Sequence, residues 1–66
     1  MDTKKIGNKL RELRGSKTVK TVAEDNGLSM SAVCMYESGL RVPKDDIKIR
    51  LAKYYGVQVE SIFFAD

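Results

Sequence analysis

Apolar residues recur along this chain at helical intervals, and glycines interrupt the recurrence. Ile6, Leu10 and Leu13 lie four and three residues apart, one stripe of an amphipathic helix over about 3–14. Gly15-Ser16-Lys17 breaks the stripe, and Thr18 stands where an N-cap belongs. The next helix, over about 19–26, is expected to bury Val19 or Val22 together with Ala23. It meets Gly27, which suits the left-handed conformation that closes many helices. Leu28 follows as a buried turn residue. Ser29 caps a third helix over about 30–38, and Gly39 ends it. Beyond the connector Leu40-Arg41-Val42-Pro43, a fourth helix over about 44–55 opens with Asp45 and Asp46 at its positive end. Ile47, Leu51 and Tyr54 or Tyr55 carry its apolar stripe to Gly56.

The stretch 57–64 reads in two ways. Val57, Val59 and the aromatics favour a strand, but a lone strand would find no partner in an otherwise helical chain. A short fifth helix over about 59–64 is therefore expected, with Ile62 and Phe63 facing inward. The pattern predicts an all-α fold, a compact five-helix bundle forming a single domain over residues 1–66. There are no internal repeats and no linker long enough to divide it.

Composition narrows the class. At 66 residues and 42% hydrophobic content the chain is globular, yet near the lower limit for a domain that folds alone. Such small cores often need a staple or a partner. The single cysteine, Cys34, cannot close an internal disulfide, and the absence of His excludes a Cys/His zinc site. Cys34 reads as a small side chain without a redox role, because no neighbour that would lower its pKa is evident. No apolar run approaches a bilayer span and no signal-peptide pattern opens the chain. A soluble, cytoplasmic protein without membrane contact is expected. Scattered carboxylates, no His and no Gly-rich phosphate loop leave no acid–base or nucleophilic constellation. The expectation is no enzyme, no cofactor, no metal and no small-molecule substrate.

Charge distribution says more than the net +3. Residues 1–20 hold seven cations and two acids, a balance of +5. Residues 21–40 hold three acids and no cation, and residues 41–66 balance at +1. Solvated helix faces are one reading of this pattern. A polyanion gripped from both flanks of the central segment is the other.

The central segment carries a specific spacing. Two steeply crossed helices joined by a short turn need a small residue where they touch, a flexible one at the turn and a branched one facing back. Ala23, Gly27 and Val33 supply these, with Val22 and Tyr36 completing the set, and together they predict a helix-turn-helix over about 19–38. At 100° per residue, with Val33 facing the core, Met30, Tyr36 and Glu37 lie within about 60° of it. Ser31 and Met35 then project outward, flanked by Ala32 and Cys34.

With "IGNKLRELR" at 6–14, "VAEDNGLSMSAVCMYESG" at 22–39, Pro43 and "LAKYYGVQVESIF" at 51–63, the chain resembles the phage-repressor and Cro-like helix-turn-helix regulators of bacteria. The resemblance covers almost the whole chain. It implies a five-helix, lambda-repressor-like domain that binds operator DNA, usually as a homodimer, with helix three in the major groove. It puts Met30, Ser31, Ala32, Cys34 and Met35 at base-facing positions. Thr18 to Lys20, Arg41 and Lys44 fall where such proteins commonly contact phosphates. Arg14 and Glu37 match a pair that often forms a salt bridge beneath the recognition helix. The chain departs from the pattern at Val19, where a Gln is usual, and in a loop after Arg14 about two residues shorter than in many relatives. It also lacks long polar residues at the start of helix three.

The leading expectation is a sequence-specific transcriptional regulator, a small repressor or Cro-like protein on a roughly palindromic operator in double-stranded DNA. Met35 is expected to read thymine methyls, and Lys17, Lys20, Arg41 and Lys44 to grip the backbone on both sides of the groove. Phe64, with no obvious intramolecular site, is the expected dimer contact, and the length leaves no room for a separate ligand-sensing domain. The alternative expectation is a protein–protein interaction module on a retained helix-turn-helix scaffold, with the uncharged third helix as its contact surface.

Overall fold

A computed structural model describes residues 2–64. The chain forms five helices: α1 (Thr3–Arg14), α2 (Val19–Asn26), α3 (Met30–Ser38), α4 (Asp45–Tyr55) and α5 (Val59–Phe63), with no strand among the described residues. The boundaries follow from local chemistry. Asp2 accepts hydrogen bonds from the Lys4 and Lys5 amides at 3.0 and 3.2 Å, and so opens α1. The Thr18 hydroxyl accepts from the Thr21 amide at 3.1 Å, and the Ser29 hydroxyl from the Ala32 amide at 3.0 Å. Gly27 adopts the left-handed conformation (φ 65°), and the Leu28 amide reaches back to the Ala23 carbonyl at 2.8 Å to close α2. α4 starts one residue later than expected. Lys44 occupies the cap position without a side-chain cap, leaving Asp45 and Asp46 in the first turn.

The interior has two parts. Ile6, Leu10, Leu51, Ala52, Ile62 and Phe63 join α1, α4 and α5 in the larger cluster. Val22, Ala23 and Val33 join α2 and α3 in the smaller one. Leu28 and Tyr55 touch both and weld them together. The structure resolves the ambiguous positions. Val22 is completely buried and Val19 half-buried, and Tyr54 and Tyr55 both pack inward in part. Leu28, expected to be buried, is half-buried, because it bridges the two clusters at the edge of the turn. Residues 59–63 are helical, and Ile62 and Phe63 face inward.

α1 lies against α3 so closely that their backbones touch. A Cβ added at Gly7 would fall on the carbonyl of Glu37. This approach sets the position of α3 relative to the larger cluster.

Candidate nucleic-acid interface

α2, the turn at 27–29 and α3 form a unit whose inner side is defined by Val22, Ala23 and Val33. Tyr36, the fifth member of the expected set, packs against the larger cluster. Two polar anchors complete the unit. The Asn26 side chain is buried and donates to the Val22 carbonyl at 2.8 Å, while Arg50 on α4 donates to the Asn26 carbonyl at 2.8 Å.

Arg14 braces the unit from α1. Its Nε donates to Glu37 Oε2 at 2.7 Å and its Nη2 to Glu37 Oε1 at 3.1 Å, a side-on bidentate pair. Its Nη1 donates to the Lys17 carbonyl at 2.8 Å. One guanidinium thus fixes the end of α3 and the loop that enters α2. Glu37 is only 6% exposed, and its hydrogen bond pushes the Arg14 pKa up, keeping the guanidinium charged. Arg11 lies 4.0 Å from the same carboxylate at the surface. Burial, assisted by the negative charge of Glu37, pushes the Tyr55 hydroxyl up to about 12, so it stays neutral at ordinary pH.

The outer side of α3 differs from the angular expectation. Met30, placed near the core by its helical angle, is 53% exposed, and Ser31 and Cys34 are exposed. Ala32 and Met35 are half-buried. Met30 opens the helix and has no preceding turn of α3 to pack upon. Beyond the helix, the Leu40 and Arg41 amides both donate to the Met35 carbonyl, at 3.0 and 3.3 Å, and close its C-terminus. The outer surface is thus led by Met30, Ser31 and Cys34, with Ala32 and Met35 set deeper.

The cations flanking α3 in the chain divide as well. Lys20, Arg41 and Lys44 are exposed and form no ion pair among the described residues. Thr18 is exposed, its hydroxyl engaged with Thr21. Lys17, expected as a free ammonium, is instead engaged. It donates to Tyr54 Oη at 3.1 Å and sits 4.5 Å from the ring centre, while Tyr54 Oη donates to Asp25 Oδ2 at 2.6 Å. Sequence spacing could not reveal this contact, which joins residues 37 apart.

Phe64 is exposed, although its ring has an intramolecular neighbour in the Lys48 ammonium, 5.1 Å from its centre. It lines an open groove of about 250 Å³ with Asp45, Lys48, Ile49 and Val59. Lys48 is buried, and its place three and four residues before Leu51 and Ala52 puts it on the inward face of α4. Among the described residues no three His, Cys, Asp or Glu side chains gather as a metal site, and no helix is long and apolar enough to cross a membrane. No protein-family model, no curated protein and no solved structure matches this chain.

Proposed function

We propose that this chain is a sequence-specific DNA-binding transcriptional regulator of the phage-repressor and Cro-like kind. In this reading α2 and α3 are a helix-turn-helix, and α3 enters the major groove. The observation that carries the reading is the bracing of α3. Arg14 holds its far end through Glu37 and holds the entrance to α2 through the Lys17 carbonyl, while the outer side of α3 is left uncovered. A helix fixed so firmly from behind suits rigid insertion into a groove. Exposed Lys20 precedes it in the chain, and exposed Arg41 and Lys44 follow it, cations suited to phosphate contact.

The readout in this proposal is apolar and shape-based. Met30, at the exposed tip, is the leading candidate to touch thymine methyls, with Ser31 able to bond either a donor or an acceptor. Without Arg, Lys, Asn or Gln on α3, bidentate base contacts worth ~1–3 kcal/mol each are missing. Phosphates then supply most of the affinity. Two copies bound on one face of the duplex would place their α3 helices ~34 Å apart, one DNA turn, on a roughly palindromic operator.

Binding to a random duplex across a salt series is the first test. A steep fall of affinity with salt is expected, since each phosphate neutralised adds about 0.9 to the slope. A flat response would sink the DNA reading and favour a protein-interaction module. Selection of bound duplexes from a random pool would then identify the operator, with thymine enriched at the positions under Met30.

A further inference from the structure

We propose that Tyr54 is a positioning residue for duplex binding, an inference that rests on the DNA reading. With Asp25 it holds the Lys17 ammonium against α4 and keeps it out of the set of cations that meet phosphate.

Lys17 stands at the entrance to α2, one residue before the cap Thr18. Its backbone is fixed. The Lys17 amide donates to the Arg14 carbonyl at 3.0 Å, and its carbonyl accepts from Arg14 Nη1 at 2.8 Å. Only the side chain is left to decide where the charge lies, and α4 decides it. The ammonium donates to Tyr54 Oη at 3.1 Å. It also lies 4.5 Å from the ring centre, within the ~6 Å at which a cation is drawn to an aromatic face. The Tyr54 hydroxyl in turn donates to Asp25 Oδ2 at 2.6 Å, inside the ~2.5–2.7 Å range of a charge-assisted O–H···O⁻ bond. The ring is aimed by its packing, edge-on to Tyr55 at 5.0 Å and against the cluster of Val22, Ala23 and Val33.

One hydroxyl therefore separates a cation from a carboxylate, and the two charges offset one another. Lys17 and Asp25 are both exposed, so the network adds little to stability. Its consequence is electrostatic. A phosphate reaching Lys17 competes with Tyr54 and meets the negative field of Asp25. Lys20, Arg41 and Lys44 form no ion pair among the described residues and stay available. With no bidentate base contact from α3, phosphates supply most of the affinity. Holding one cation back then weakens binding to every sequence alike and leaves sequence choice untouched.

Salt titration of duplex binding by the full chain tests this, with Tyr54→Phe as the central variant. It removes the hydroxyl, keeps the ring packed and changes no charge, so a steeper slope reports a released cation. The slope should steepen by about 0.9, the value of one phosphate. Lys17→Met should leave the parent slope unchanged, yet abolish the gain when combined with Tyr54→Phe. Tyr54→Leu, which also removes the attraction of the ring, should reach at least the slope of Tyr54→Phe. Circular dichroism checks that each variant folds, and if Tyr54→Leu does not, the remaining variants decide the matter. A steep parent slope that neither Tyr54 variant steepens would overturn this proposal and leave the DNA reading standing. So would a shallower slope on Lys17→Met in the parent, because Lys17 would then already meet phosphate. A flat response in the parent and in both Tyr54 variants would remove the DNA reading and this proposal together.

Discussion

Glu37 occupies the most consequential single position. Its carboxylate is nearly buried, and both oxygens are taken up by Arg14. Removing one partner of a buried pair costs ~3–5 kcal/mol because the other charge is stranded. Arg14 retains some exposure and its bond to the Lys17 carbonyl, so Glu37→Ala should lie near the lower end, about 3 kcal/mol in urea unfolding. Replacing Arg14 and Glu37 together by apolar residues of similar size should recover much of the loss. A Glu37→Ala chain as stable as the parent would remove the brace from the account. Tyr55 gives a second residue-scale prediction. Its folded pKa, about 12, lies above the ordinary tyrosine value, so the folded state holds the proton more tightly than the unfolded one. Its contribution is complete below about pH 10 and is lost as pH rises through about 12. Melting temperature should fall across this window, and less steeply in Tyr55→Phe than in the parent.

Among the elements, α1 and α3 depend on one another most closely. Gly7 lies inside α1, where replacement by Ala ordinarily adds about 1 kcal/mol of helix stability. Here a Cβ meets the Glu37 carbonyl, which is backbone and cannot rotate aside. Separating the helices would loosen the larger cluster and the Arg14–Glu37 pair together, so overpacking should win. Gly7→Ala is expected to lose at least ~2 kcal/mol, measured by denaturant unfolding. A stabilised variant would mean that α1 and α3 sit further apart. Gly27 differs in kind: an Ala there meets little, its nearest neighbour being Arg50 Nη1 at 4.0 Å, and the cost is the positive φ alone, about 1–2 kcal/mol.

At the scale of the molecule, the proposed function separates affinity from specificity. Arg41 is exposed, follows α3 and forms no ion pair among the described residues. Arg41→Ala should weaken all duplexes about equally and lower the salt slope by roughly one. Met30→Ala should cost less, yet reduce discrimination of thymine from uracil, which differ at the methyl. Competition binding with uracil-substituted duplexes reads both effects. Undiminished thymine preference in Met30→Ala would place the methyl contact elsewhere on α3.

The helix boundaries were legible in the sequence because their causes are local. Thr18 and Ser29 cap amides three residues away, and Gly27, Gly39 and Gly56 close the turn in which they stand. The stripe Ile6, Leu10 and Leu13 likewise depends on helical period, and the spacing of Val22, Ala23 and Val33 on the short turn between two adjacent helices. The surface of α3 was less legible. A helical angle places Met35 outward and Met30 near the core, yet Met35 is half-buried and Met30 is exposed. Lys17 reads as a free cation until Tyr54 arrives from α4, and the aromatic partners of Lys48, Phe63 and Phe64, come from α5. Periodicity and capping thus determined which residues form each helix, since those forces act within a few residues. Burial of a charge, the partner of a cation and the close approach at Gly7 were decided only by tertiary structure, because each is a contact between chain segments distant in sequence.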